Sequence, residues 1–389
     1  MDLNNITMDN RIDGNDDYAS SYQSKTFSSV RISCFAHTIQ LCVRDGLKNE
    51  PQIVRVLEKC RRFAKFSDES TKIADILDEL HKHITKMNVT RWNSEYLLVK
   101  SILNIEKRDL ETISKSMESP IIFLNNDLKI LQELVDILDP FFEISVKCQS
   151  DSIVTASLVV PAIAHLVVQL RDMKGNISTL TKLVEELQSS VQKRFTGIIH
   201  RFNFEHVETE EPFSDPVYFM AAVLDPSFKF YWMHDLRLPV NNENRLKQNI
   251  IQLILDDITN DPMMKLESDK EKTNTASSSF PLQNKTKKKL FMYNSSTDES
   301  NYSCRLNPAA ELDSYLNDPL RSPFSDYWMA SRLTILKRFV RRIFSVQASS
   351  APIERVFSHA GLIMSARRTN MSEETFKNLV FLKVNQNLL

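Results

Sequence analysis

The sequence predicts a mainly helical protein with a small α/β part. Only five glycines occur in 389 residues. Long stretches repeat apolar residues at spacings of three and four, the period of a helix with one buried face. Extended patterns are confined to two short stretches near the N-terminus.

In chain order, Ile6–Met8 reads as a strand that ends at Asp9, and Val30–Ser33 as a second extended stretch. Leu97–Leu110, Leu128–Val146, Ile153–Met173, Ile177–Phe195 and Asn244–Ile258 each carry the helical period over a length that can pack. Leu266–Ser303 changes character, with a Ser/Thr/Asn-rich stretch, the basic run Lys285-Thr-Lys-Lys-Lys289 and an acidic, Ser-rich end. Too little apolar surface is present there to offset ordering entropy, so a disordered linker of roughly forty residues is expected. Beyond it Asn307–Ser325 should form a short helix with a polar exit, and Tyr327–Leu389 a compact helical unit. Within that unit Ser349 or Ser350 can cap a helix whose first turn holds Pro352 and Glu354. Arg355 flanks the acid, and Ile353, Val356, Phe357 and Ala360 form an apolar stripe expected to be buried. Taken alone this is an amphipathic helix with a first-turn carboxylate favoured by the helix dipole.

Composition narrows the function classes. The chain is 42% hydrophobic and 9% aromatic, ample for sizeable cores. A net charge of −1 provides no global attraction to nucleic acid, so DNA binding must come from local patches. The visible basic clusters are Lys59, Arg61, Arg62 and Lys65; Lys285–Lys289; and Arg338, Arg341 and Arg342. Neither G-x-G-x-x-G nor G-x-x-x-x-G-K-S/T is present, which removes phosphate-loop and dinucleotide-binding classes. No charged-then-apolar leader and no apolar run near eighteen residues is apparent, so no membrane span is expected. Cys34, Cys42, Cys60, Cys148 and Cys304 are dispersed, which suits a reducing compartment and no zinc spacing.

The order of residues carries more than their composition. Ser349-Ser-Ala-Pro-Ile-Glu-Arg-Val-Phe-Ser-His-Ala-Gly361 closely resembles the C-terminal signature of hAT-superfamily transposases and their domesticated relatives. Ile6-Thr-Met-Asp-Asn10, Cys34-Phe-Ala-His-Thr-Ile-Gln-Leu41 and Thr90-Arg-Trp-Asn93 resemble further landmarks of that family in the same order. So do Leu138-Asp-Pro-Phe-Phe142, Val159-Val-Pro-Ala-Ile163 and Ala221-Ala-Val-Leu-Asp-Pro-Ser-Phe-Lys229. Within the superfamily the resemblance is closest to BED-type zinc-finger domesticated proteins of animals.

The resemblance implies an RNase H-like core interrupted by a large all-helical insertion domain, followed by a C-terminal helical dimerisation region. Residues 1–48 then form the N-terminal RNase H-like remnant, 49–265 the insertion, 266–303 the linker, and 304–389 the returning core helix with the dimerisation tail. It makes Asp9 and Glu354 the second and third metal-binding carboxylates, which must come together across the intervening domain. Strand cleavage and joining by such enzymes are in-line displacements at phosphorus, clamped by two divalent metals. Mg²⁺ or Mn²⁺ would be the ion, and only if the carboxylate set were complete. The BED finger and the strand with the first catalytic Asp are not found, and Asp13, Asp16 and Asp17 read as a solvated loop. The expected protein is therefore catalytically inactive.

Two further motifs stay open at this level. Arg91 and Trp92 are implied by the family to hold a flipped nucleotide, the ring stacking on the base and the guanidinium on the backbone. Alternatively Trp92 packs at the start of a helix capped by Thr90 or Asn93. Cys34 and His37 supply at most two zinc ligands where a structural site needs four, and His81 and His83 are wrongly spaced to complete it. No structural zinc is expected; both residues are read as facing the core, with His37 hydrogen-bonded. The resemblance implies homodimers or higher oligomers through 349–389, weak DNA association without the finger, no membrane, and a nuclear location. A regulatory, inactive derivative is the leading reading, with a fragment of an active transposase and a non-functional transposon remnant as the others.

Overall fold

The computed structural model describes residues 33–48, 50–86, 92–150, 154–261, 307–364 and 371–386. These all belong to one unit, Ser33–Leu389. Among them the regular structure is helical, without a strand. The expected strand Ile6–Met8, Val30–Ile32 and the linker 266–303 lie outside the described residues; Ser33 is irregular.

The first half folds around α1 (Phe35–Lys48), which packs against α6 (Asn125–Cys148) and α8 (Thr181–Arg194), and less extensively against α4 (Trp92–Leu103). Phe35, Ile39, Cys42 and Val43 repeat at helical spacing and are fully buried. Gly46 allows the close approach of α8, since a Cβ there would stand 2.8 Å from Leu187. Asp45 fastens the same pair, its Oδ2 accepting from Arg194 Nε at 2.9 Å and Nη2 at 2.7 Å. Around this pair α2 (Pro51–Glu69) packs on α3 (Thr71–Glu79), α4 and α6, with α5 (Lys107–Lys115) between α4 and α6 in the chain.

Several helix ends differ from those expected, each for a local or tertiary reason. The periodic run Leu97–Leu110 is broken into α4 and α5, because the chain turns at buried Ile105 and Glu106 adopts an extended ψ of 146° before α5. Helix α8 begins at Thr181 rather than Ile177. The carboxylate of Glu133, from α6, accepts the N–H groups of Thr179 and Leu180 at 2.9 Å each and the Ser178 hydroxyl at 2.9 Å. These are donors that a helix start leaves free, and an acid from another helix captures them. Burial acts to raise the Glu133 pKa, but these hydrogen bonds outweigh it and hold the carboxyl below its ordinary value.

Ile153 lies outside the described residues; the run it opens becomes a 3₁₀ turn at Ala156–Leu158 followed by α7 (Val159–Met173). Together they form an 18-residue stretch apolar and long enough to cross a membrane, contrary to the sequence expectation. Half of it is buried inside the fold, against α6, α8 and α11 (Met233–Leu236). The Pro140-containing run extends to the full α6. The segment after α9 (Thr196–Asn203) folds back on its first turn, where the Gly197 N–H donates to Pro212 O at 3.1 Å.

The second half gathers around α10 (Val217–Leu224), whose residues are all buried. It packs on the 3₁₀ turn, α7, α12 (Val240–Asn260) and α15 (Thr334–Ile343). The Leu224-Asp-Pro-Ser-Phe-Lys229 landmark follows and is a structural joint. Asp225 accepts from the Ser157 hydroxyl at 2.7 Å and the Ser227 N–H at 3.0 Å, and burial still raises its pKa. Lys229 donates to the carbonyls of Tyr315, at 2.8 Å, and Asp318, placing a cation on the C-terminal end of α13 (Pro308–Asn317). In return the Tyr315 hydroxyl and the indole N–H of Trp328, on α14 (Phe324–Ala330), donate to the last carbonyls of α10, at 2.9 and 3.0 Å.

The final two helices, α16 (Ala351–Ile363) and α17 (Glu373–Val384), pack mainly on each other. The expected compact unit Tyr327–Leu389 therefore divides: α14 and α15 enter the core, while α17 has no buried residue. The stripe expected to be buried is not. Ile353 is 52% and Phe357 69% exposed, and Val356 and Ala360 are half-buried.

Glu133→Gln removes the charge that accepts the Thr179 and Leu180 N–H groups and the Ser178 hydroxyl, and is expected to cost about 1–3 kcal/mol. The folded Glu133 pKa lies below its unfolded value, so this contribution is complete above about pH 4.3. It is lost as pH falls through the folded pKa, so melting curves of wild type and variant should converge in acid. A Cβ on Gly197 would meet Ser214 backbone at 2.5 Å, whereas one on Gly175 meets nothing within 4 Å. Gly197→Ala should therefore lose about 1–3 kcal/mol in a denaturant titration. Gly175→Ala should be neutral or gain up to about 1 kcal/mol.

Candidate functional site

The start of α16 is built from parts of the chain remote in sequence. The segment Gln347–Ser350 passes beside the beginning of α1. Phe35 N–H donates to Ala348 O at 2.7 Å, and Ala348 N–H donates to Thr155 Oγ1 at 3.0 Å. Thr155 in turn donates to Gln347 Oε1 at 3.1 Å. Ala348, Thr155 and Ser349 are all buried. Ser349 Oγ accepts from Ala351 N–H at 3.1 Å, and Pro352 in the first turn needs no donor partner.

Ser350 links two of the sequence landmarks. Its N–H donates to Cys34 Sγ at 3.3 Å, and its hydroxyl stands 3.3 Å from the same sulfur. That hydroxyl also donates to Glu354 Oε1 at 2.5 Å, one helical turn on. Cys34 and Glu354 are thus joined through one serine. The other side of α16 is held by Arg355, whose Nη1 donates to Gln149 O at 3.1 Å. The Gln149 side chain donates to Ser145 O at 2.8 Å and Oγ at 3.1 Å, and Asn93 Nδ2 reaches Ser145 Oγ at 3.4 Å. Asn93, beside Trp92, is therefore connected to α16 by a relay across the end of α6.

The remaining expected residues fall elsewhere. His37 is exposed on α1, contrary to the expectation that it faces the core, because the buried face of that helix takes Phe35, Ala36 and Ile39 instead. Cys34 is half-buried at the helix start. Trp92 opens α4 and packs edge-on to Tyr96 at 6.3 Å and to Phe142 at 6.4 Å. Leu47, Leu57 and Leu138 line the same small apolar cavity, and the Trp92 indole N–H is buried without a hydrogen-bond partner among the described residues. Asp9 and Arg91 lie outside the described residues. Among those residues no group of three His, Cys, Asp or Glu side chains lies together to hold a metal ion. A hard divalent cation needs several oxygen ligands. One exposed carboxylate already bonded to Ser350, beside a thiol and a guanidinium, does not by itself fit one.

Sequence reading named Glu354, Arg355 and Cys34 but missed Thr155, Gln149 and Ser145. Their only signal was polarity at the ends of otherwise apolar helices, which solvent contact would explain equally well.

Both ends of this arrangement fall in segments that match known families. Residues 32–134, spanning α1 to the middle of α6, match the ZBED1 RNase-like helical domain. Residues 311–386, spanning α13 to α17, match the hAT family C-terminal dimerisation region. The chain is 19% identical over 371 residues to zinc finger BED domain-containing protein 4 of Homo sapiens, covering 92% of this chain and 29% of that protein. It is 22% identical over 165 residues to the transposable element Hobo transposase of Drosophila melanogaster, covering 42% of this chain and 24% of that one. The chain thus spans less than a third of the length of these curated relatives. The chain therefore resembles, in order, a ZBED1-type RNase-like helical domain and a hAT family C-terminal dimerisation region, the two parts expected of a hAT transposase-derived protein.

Proposed function

We propose that this chain is a self-associating, catalytically inactive hAT derivative that works in the nucleus as a DNA-associated or regulatory module. The observation that carries the reading is the outer surface of α16 and α17. Phe357, Leu362, Met364 and Phe381 are exposed together with Ile353 on two helices that pack mainly on each other. Apolar surface of that kind gains free energy when covered, at about 25 cal/mol per Å² removed from water. The match to the dimerisation region supports a second copy as its cover.

Inactivity is supported by the surroundings of Glu354. Its carboxylate is engaged within its own helix turn by the Ser350 hydroxyl, which a metal would have to displace. The pairing of Asp9 with Glu354, and Mg²⁺ or Mn²⁺ held between them, belongs to the ancestral reaction. Trp92 serves here as a packing residue, with Arg91, its neighbour in sequence, as the candidate DNA contact. The nuclear, DNA-linked setting rests on the kinship with a BED zinc-finger protein and a transposase.

Purified protein is expected to show no Mg²⁺- or Mn²⁺-dependent nicking of duplex DNA. Cleavage that disappears in Glu354→Gln would show an active fragment instead. By light scattering the intact chain should be a dimer at micromolar concentration, and a chain ending near Ser372 should be monomeric yet folded. An intact, folded chain that stays monomeric overturns the self-association reading.

A further inference from the structure

An open groove of 980 Å³ lies where α2 meets the end of α1 and the start of α8. Its walls carry Lys48, Arg55, Lys59, Arg62 and Lys182, with Val54 exposed between them. Arg55, Lys59 and Arg62 follow at steps of four and three residues, so they share one face of α2 and span roughly 10 Å of its axis. A chain with a net charge of −1 has concentrated five cations on one concave surface.

The positions of the acids decide what this surface presents. Asp127 pairs with Lys59 at 2.6 Å and Arg55 at 3.6 Å, and Glu50 with Lys182 at 3.6 Å. Both carboxylates lie beneath the floor, their side chains only 1% and 5% exposed, while Arg55 and Lys182 are 62% and 60% exposed. Glu58, the acid that does line the groove, is paired with Arg61 at 3.3 Å. Lys48 and Arg62 are exposed and pair with no carboxylate among the described residues. Solvent therefore meets the ends of Arg55, Lys182, Lys48 and Arg62, while Lys59 is held beneath them by Asp127 and the Ile122 carbonyl.

We infer that this groove binds the phosphate backbone of a nucleic acid. A row of cations along a helix face suits a regularly charged polymer, and Val54 offers the limited apolar contact that a sugar requires. An acidic protein segment would need apolar pockets for anchor side chains, and Val54 and Pro51 are the only apolar residues among those that line the groove. The site shares no residue with the cavity around Trp92 and reads no base edges, so binding should be independent of sequence. The inference rests on the DNA-associated part of the proposed function and not on self-association.

The test uses the full chain and fluorescein-labelled duplex DNA of arbitrary sequence, followed by anisotropy over a salt series. Lys48→Glu/Arg62→Glu leaves the buried Asp127 and Glu50 pairs intact. It should weaken binding at least tenfold, and the slope of log K against log salt should fall by about two, one for each phosphate no longer neutralised. Lys193→Glu, farther along α8, should leave both unchanged. Light scattering on the same samples reports the dimer, so loss of DNA binding with the dimer retained separates this site from the self-association reading. The inference is overturned if the chain does not bind the duplex, if the double variant binds as wild type does, or if Lys193→Glu weakens binding equally. Poly-glutamate binding to wild type but not to the double variant, without DNA binding, would assign the groove to an acidic protein partner and overturn it too.

Discussion

The rest of the structure depends on the passage of Gln347–Ser350 beside the start of α1, where Ala348 and Ser349 are buried. Its backbone cannot be left without partners in a place closed to water. Phe35, Thr155 and Cys34 supply those partners, and Ser350 reaches Cys34 across 316 residues of sequence. This segment sets where α16 begins, and so where Glu354 and the exposed apolar faces of α16 and α17 stand. A small set of hydrogen bonds thus orients a large outward-facing element.

A second joint ties α10 to α13 and α14, and it works by the same logic of satisfying helix ends. The last carbonyls of α10 accept from Tyr315 and Trp328, while Lys229 covers the carbonyls that end α13. The exchange is reciprocal, each element closing the polar terminus of the other. It explains a buried lysine in a motif that reads from sequence as a run of unrelated residue types. Burial lowers the Lys229 pKa, and the two carbonyls compensate for part of the lost hydration.

The two outward surfaces differ in kind. The tail exposes Ile353, Phe357 and Phe381, surface that favours a like apolar partner. The groove on α2 exposes charge whose counter-ions lie beneath it. Association through the first would be driven by water release, and through the second by charge, which salt weakens. The fold keeps them on separate elements, so each can act without disturbing the other.

Helical character and most helix positions were legible in the sequence because apolar spacing records which face is buried. The hAT landmarks were legible because their residue order survives at Cys34, Leu224–Lys229 and Ser349–Gly361. Helix starts were less so: α8 opens late because Glu133, from another helix, takes its first donors, and no local pattern in Ile177–Phe195 encodes that capture. Sequence also placed Ile353 and Phe357 in a buried stripe, since periodicity reports an apolar face without saying whether the same chain covers it. The exposure of His37 likewise followed from which side of α1 met α6 and α8. Local spacing determined the helices and the chemical character of their faces. Only tertiary structure decided which donors met which acceptors and which faces remained open, because those depend on contacts between residues far apart in the chain, from Glu133 with Leu180 to Cys34 with Ser350.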